Sequence, residues 1–439
     1  MTALLRLRRV AAFAAVSLMS AVGLPHAASA FDIQKVVSPM GITAWLVEDK
    51  TVPLVAMSFA FEGGAAQDPT DRPGVANMLT GLLDEGASDI DSEAFQARLE
   101  DLAIDLSFDA GRDAVFGSLR TLTENRAEAV RLLRLALTEP RFDAEPVDRI
   151  RAQLLAGIRR GERSPGDIAS KLQMNANFPN HPYGRPVTGT ADSVAAISVA
   201  EIKAFRAKNF ARDNLRVAVV GSIDAATLGT MLDDVFGALP AKADLVNVAD
   251  AVPAGAGRAS ATLATPQTTI RFTGQGLKRD DPDFMAASIA TFILGGGGGS
   301  RLFNAVREQR GLTYSIGLSL DALDHAGLVA GSTSTRSDQA GTVIKVVEDE
   351  IARFAKDGPT EAELAKSKDY LMGSFPLRFV TSTRIARQLL SFQMDNLGID
   401  YIQRRNQEVA AITIADVRKA AQRLFARGLM VVTVGKPVT

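Results

Sequence analysis

Strand and helix signals run through this 439-residue chain twice in the same order, and that repetition limits the fold more than any other feature of the sequence. An alternating apolar run begins at Ile42, turns at Lys50-Thr51 and resumes after Pro53 as LVAMSFAFEGG, the pattern of two strands joined by a turn. Helical periodicity follows. Across residues 240–260, PAKADLVNVADAVPAGAGRAS, periodicity is lost and Ala, Gly and Pro accumulate, which marks a linker. The order then restarts. A strand over 268–276 ends in FTGQG as the earlier one ends in FEGG, Asp281-Pro282 echoes Asp68-Pro69, and a helix and a glycine-rich turn follow in both halves. The expectation is an α+β fold of two homologous domains, each an antiparallel sheet with helices packed on one face. They are assigned to residues 31–240 and 261–439, with 241–260 between them.

Local signals fill in the first half. Thr70 or Asp71 is placed to cap a helix that starts at Pro73 and continues through Leu82, proline being favoured in a first turn. A second helix from Ser92 carries Phe95, Leu99 and Leu102 on one face. Residues 104–122 alternate around Ala110-Gly111-Arg112-Asp113 and read as a β-hairpin. Helices recur at 125–137 and 144–160, Ser198 and Glu201 form a capping box, and 215–223 reads as a buried strand.

Arg6, Arg8 and Arg9 precede an apolar run over 10–24 and then Ala28-Ser29-Ala30, the layout of a cleavable secretory signal over residues 1–30. The expected location is the periplasm, with no membrane span after cleavage. With no Cys in the chain, an exported form is held by its core rather than by disulfides. The balance of 49 Lys plus Arg against 50 Asp plus Glu leaves no basic excess for nucleic acid, and 46% hydrophobic residues argue for a folded chain throughout.

Residues 74–87, GVANMLTGLLDEGA, have the frame of a metal-binding helix stripped of its ligands. In an inverted zinc peptidase, His-x-x-Glu-His sets two imidazoles and a general base on one helix so that both rings meet one ion. Here Asn77, Thr80 and Gly81 hold those positions. An amide oxygen and a hydroxyl are poor partners for Zn²⁺ beside imidazole or thiolate, and glycine offers none. With only 3 His in the chain, the loss is not made good elsewhere.

Taken with EGGAAQDP, with HPYGRP over 181–186 and with GGGGGSRLFNAVREQRGLTYSIG over 295–317, this segment resembles the pitrilysin and mitochondrial processing peptidase family in its bacterial two-domain branch. The resemblance implies two domains clasped around a cavity. It implies a further zinc ligand on a later helix, where this chain has QLLAGI over 153–158 and Gly157 at the ligand position. It also implies that Arg307 and Tyr314 reach across the cavity to hold substrate and stabilise an oxyanion. No metal is expected in this chain.

Relatives with this pattern work as pairs, so the resemblance implies a heterodimer with a zinc-bearing family member whose His-x-x-Glu-His is intact. Zinc and general base belong to that partner; a guanidinium and a phenol from this chain serve the peptide substrate as well across an interface as within one chain. On this reading the protein is inactive alone and is part of a metalloendopeptidase when paired. The rival is a catalytically inactive scaffold or peptide-binding protein of the same fold, its 104–122 hairpin offering an edge strand. The bland expectation pairs Arg307 with Glu308 and buries Tyr314 in the core. His181 and His325 read as turn residues, Asp84 and Glu85 as solvent-facing or capping acids, and the glycines at 295–299 as a tight bend, since no Gly-Lys-Ser/Thr follows to cradle phosphate.

Overall fold

The computed structural model describes residues 32–437, so the signal expected over 1–30 lies outside them. The first half builds one sheet from β1 (Gln34–Val37), β2 (Thr43–Glu48), β3 (Leu54–Glu62), β4 (Asp105–Ala110), β5 (Ala114–Leu122) and β6 (Leu215–Gly221), in the order β1-β2-β6-β3-β5-β4. The second half builds another from β7 (Gly257–Thr262), β8 (Gln267–Gln275), β9 (Ile316–Leu323), β10 (Ala326–Arg336) and β11 (Met430–Gly435), in the order β7-β11-β8-β10-β9. Hairpins β4-β5 and β9-β10 are antiparallel. In each sheet one pair, β2 with β6 and β7 with β11, runs parallel, as long intervening connections allow.

The duplication extends to single contacts. Phe59 on β3 lies opposite Gly117 on β5, and Phe272 on β8 lies opposite Gly331 on β10. At either glycine an added Cβ would fall under 3.0 Å from the ring atoms of its phenylalanine. Both rings therefore lie over bare backbone on the neighbouring strand.

Helices α1 (Val75–Thr80), α2 (Ser92–Asp101), α3 (Arg126–Thr138), α4 (Ala144–Gly161), α5 (Pro165–Asn177), α6 (Ala191–Ala196), α7 (Val199–Asn209) and α8 (Ala225–Phe236) come from the first half. From the second come α9 (Phe284–Gly295), α10 (Ala340–Asp357), α11 (Glu361–Ser374), α12 (Ser382–Met394), α13 (Tyr401–Ala411) and α14 (Ile414–Phe425). Alternation along β3 sends Val55, Met57, Phe59 and Phe61 into a core with Leu79 of α1, Leu132 of α3 and Leu232 of α8. Phe61 stacks on Phe210 at 4.4 Å between ring centroids. Ile270 and Phe272 of β8 do the same with Ile289 of α9, Val343 of α10 and Val417 of α14.

The other face of each sheet is covered from the opposite half of the chain. Ala56, Ser58 and Ala60 on β3 are buried and small, and α12 lies against β3 and β6. Gln393 on α12 donates to the Val217 carbonyl at 2.8 Å. Reciprocally, α5 lies on β8 and β11, with Ala169 against Val432 and Val434 and Gln173 donating to the Thr273 hydroxyl. Helices thus cover both faces of the central strands, one face from within each half and the other by exchange.

The stretch between the halves is not loose. Gln67 and Val246 exchange two hydrogen bonds, at 2.9 and 2.7 Å, and the Ala251 N–H donates to the His325 carbonyl at 2.7 Å. From Gly257 onward it is strand β7, which the sequence hides because its residues are half-buried or exposed and carry no apolar alternation. Among the described residues no helix is long and apolar enough to cross a membrane.

Candidate functional site

Helix α1 is shorter than the sequence suggests and is capped by a different residue. A short helical turn over Gly64–Gln67 brings Asp68, rather than Thr70 or Asp71, to the start of α1. Its carboxylate accepts from the Gly74 N–H at 2.7 Å and the Ala76 N–H at 2.8 Å, satisfying donors that the helix leaves open. Burial pushes the Asp68 pKa up to about 6 against the pull of those donors and of Arg185. The helix stops at Thr80 instead of Leu82, because Gly81 closes the last turn with its N–H on the Asn77 carbonyl.

Val75, Ala76, Met78 and Leu79 fill the core, which leaves Asn77 half-buried beside them. The Asn77 amide nitrogen is buried with no hydrogen-bond partner among the described residues. Thr80 turns its hydroxyl back onto the Asn77 carbonyl at 2.9 Å. A Cβ on Gly81 would come 3.1 Å from the Cγ2 methyl of Ile150 on α4, so the space a larger side chain needs there is occupied. Gly157, also on α4, is open: the nearest atom to an added Cβ is the Arg160 guanidinium at 3.9 Å. An unpartnered amide, a hydroxyl committed to backbone and two glycines do not fit Zn²⁺, which takes imidazole, thiolate or carboxylate. Among the described residues no group of three or more His, Cys, Asp or Glu is arranged to hold a metal ion.

Glu85, expected to face solvent or to cap the helix end, is 9% exposed. Arg149 of α4 grips it with a fork of 2.6 and 3.1 Å, and the Ser92 hydroxyl donates to it as well. Burial raises its pKa, but the Arg149 and Ser92 hydrogen bonds outweigh that and hold the carboxyl below its usual value. Asp84 is half-buried too, and burial raises its pKa. Glu85 thus joins the end of α1 to α2 and α4.

Arg307 and Tyr314 come together at the surface of the second half. Arg307 sits in a π-helical turn, Phe303–Glu308, in which the Gln309 N–H reaches back to the Asn304 carbonyl at 2.9 Å. Its guanidinium carbon lies 4.8 Å from the Phe303 ring centre and 5.0 Å from that of Tyr314. The contact with Glu308 is a loose 3.8 Å. Tyr314 is no core aromatic: at 84% it is the most exposed large apolar side chain of the described residues, in the loop ahead of β9.

A cavity of about 650 Å³ opens beside Gly157, bounded by α4, α5 and residues 184–188. Arg112, Arg160, Lys171 and Arg185 line it, with Asp167 as the one acid. Arg307 and Tyr314 are not among its lining residues. Arg112 lies in the turn between β4 and β5, as the sequence predicts, and the sequence gives it no further part. Nothing local marks it as a cavity residue, since the rest of the wall comes from more than forty positions downstream.

Both described histidines act at the junction of the halves. His181 accepts from the Tyr183 N–H at Nδ1, 3.2 Å, which leaves Nε2 to donate to the Ala249 carbonyl at 2.9 Å. Tyr183 is fully buried and donates to Asp113 at 2.6 Å while accepting from the His325 N–H at 2.9 Å. Asp324 also donates its N–H to Asp113, at 3.2 Å, and His325 Nδ1 lies 3.3 Å from Asp250. Although Asp324 is exposed overall, partial desolvation of its carboxyl, helped by Asp113, pushes its pKa up to about 6.

Two linked α+β halves, each built on one sheet, define the class of fold, and among the described residues no group of side chains is arranged as a zinc site. The chain belongs to peptidase family M16. Residues 44–191 match the model described as insulinase (peptidase family M16), and residues 196–371 match the peptidase M16 inactive domain. A crystal structure of a peptidase M16 inactive domain from Pseudomonas fluorescens is 30% identical, covers 93% of this chain and 98% of its own, and superposes with a TM-score of 0.87. Among curated proteins, "Non-peptidase homolog YmxG" of Helicobacter pylori is 25% identical over 84% of this chain and 86% of its own. "Uncharacterized zinc protease SCO5738" of Streptomyces coelicolor is 29% identical over 66% of this chain and 65% of its own. These relatives include both a protein named as a non-peptidase and one named as a zinc protease, and the family accommodates a non-catalytic member.

Proposed function

We propose that this chain is the non-zinc-binding subunit of a heteromeric zinc metallopeptidase, working in the periplasm after export. It lends Arg307 and Tyr314 to a partner that carries an intact His-x-x-Glu-His, the zinc and the general base. The observation that carries this reading is the exposed Tyr314 ring held beside the Arg307 guanidinium, a cationic and phenolic donor pair facing outward where the bland expectation buried the ring. A tetrahedral oxyanion gains most from donors already in place at about 3 Å, and the two rings beside Arg307 restrict its motion before any substrate arrives.

The test is co-expression with a zinc-bearing family member from the same cell, followed by purification of the pair and assay on an unstructured peptide. Arg307→Ala and Tyr314→Phe each lower kcat by about 10²-fold, the usual cost of one oxyanion donor, while the pair still co-purifies. Unchanged turnover in both variants refutes the reading, and a chain that never co-purifies with such a member leaves the scaffold or peptide-binding role in its place.

A further inference from the structure

We propose that the cavity beside Gly157 binds an acidic peptide through its side-chain carboxylates. Its size falls within the range of roughly 300–1,000 Å³ typical of ligand sites. Four cations face one carboxylate across it. Arg160 and Lys171 form no ion pair or side-chain hydrogen bond among the described residues. Arg112 and Arg185 are anchored by backbone carbonyls instead of carboxylates: Arg112 donates to Tyr183 and Arg185, and Arg185 donates to Asp68 and Ala66. The Arg185 Nε is buried without a hydrogen-bond partner among the described residues.

The acids whose charge acts on these two arginines are already committed. Asp113 accepts from Tyr183, and Asp68 caps α1. Desolvation lowers the pKa of both Arg112 and Arg185, the mark of cations held with too little water and too little counter-charge. Leu154, Ile158 and Met174 add an apolar wall suited to the methylenes of Glu or Asp side chains and to a peptide backbone flanked by them. A ligand that brings carboxylates on an otherwise uncharged chain supplies what the cavity lacks.

The choice of a peptide as ligand rests on the metallopeptidase reading above; the preference for negative charge stands on the cavity alone. The two are tested separately, since this experiment uses the chain without any partner. A rhodamine-labelled peptide of alternating Glu and Ala is titrated with the protein and followed by fluorescence anisotropy, beside Gln/Ala and Lys/Ala peptides of the same length. The Glu peptide binds at least about tenfold tighter than the Gln peptide and weakens as salt rises. Lys171→Glu and Arg160→Glu each weaken it about tenfold, the loss of one charge-assisted contact. Asp167→Asn tightens it, and Lys242→Glu, on the exposed stretch between the halves, leaves it unchanged. Melting curves confirm that each variant folds. Equal affinity for Glu and Gln peptides, a Lys171→Glu/Arg160→Glu double variant with the parent affinity, or displacement by inorganic phosphate at peptide-level concentration overturns the proposal.

Discussion

Adding one methyl group to Gly117 or Gly331 tests the ring-over-backbone packing that the two sheets share. Replacing glycine by alanine where the backbone tolerates it ordinarily stabilises a protein by about 0.4–1 kcal/mol, because the unfolded chain loses freedom. Neither glycine has a positive φ, so that gain applies to both. Against it stands the clash: the new Cβ of Gly117→Ala falls under 3.0 Å from three atoms of the Phe59 ring, where carbon contacts settle at about 3.5–4.0 Å. The ring has little room to yield, since Phe61, Phe108 and Phe236 pack edge-on at 6.0, 6.3 and 5.3 Å between centroids. Overpacking of this kind costs about 1–3 kcal/mol, so the clash wins and the net loss is about 1–2 kcal/mol. Gly331→Ala against Phe272 loses a similar amount. Gly157→Ala serves as the counterpart: mid-helix, with its Cβ in open space, it gains about 0.5–1 kcal/mol. Urea unfolding followed by circular dichroism measures all three, with unchanged m-values as the check on two-state behaviour. A Phe59→Leu/Gly117→Ala double variant shows a coupling of at least about 1 kcal/mol relative to its singles. Should Gly117→Ala and Gly331→Ala stabilise as Gly157→Ala does, the steric argument is wrong.

Three further outcomes follow from the buried polar contacts and the absent ligands. Glu85→Gln removes the acceptor charge from the Arg149 fork and lowers stability by about 1–3 kcal/mol in the same urea assay; a loss under about 0.5 kcal/mol means the pair is only incidental. Asp324 has a folded pKa near 6, above its unfolded value of 3.8, so its charged form, partly desolvated and facing Asp113, weakens the fold above pH 6 by an amount that its exposure to solvent keeps small, and that penalty fades as pH falls through 6. The neighbours Asp113, Glu62 and Asp395 push the same way and His325 opposes them, so Asp324→Asn raises the melting temperature at about pH 7.5 and narrows its difference from the value at about pH 5.5, read by differential scanning fluorimetry; an unchanged pH profile excludes Asp324 as the source. Extensive dialysis of the lone chain against a chelator leaves its melting temperature in place, and plasma mass spectrometry finds less than about one zinc per ten chains; tight stoichiometric zinc contradicts the ligand analysis.

What was legible in the sequence was what local signals encode. The 104–122 hairpin, the helix over 144–160 and the capping box of Ser198 and Glu201 depend on residues a few positions apart, and the structure places each of them within a residue or two. The reading of Asn77, Thr80, Gly81 and Gly157 as degenerate ligand positions rests on the motif frame that the residues around them keep. Contacts made at long range were not legible. Asp68 displaced Thr70 and Asp71 as the cap only because the 64–67 turn folds it back, and Glu85 lost its solvent through an arginine on α4 that no local pattern links to it. Periodicity marked α5 and α12 as helices without revealing which sheet each one covers.

Cut at the stretch between the halves, the first fragment would expose Ala56, Ser58 and Ala60 on β3, and the second would expose Val432 and Val434 on β11, each beside a stranded helix with nothing to lie on. The polypeptide reads as two successive units, yet neither piece owns all the surface it needs. Because each half covers a sheet face of the other, the expected behaviour is a single melting transition, with severed halves regaining stability only by finding each other.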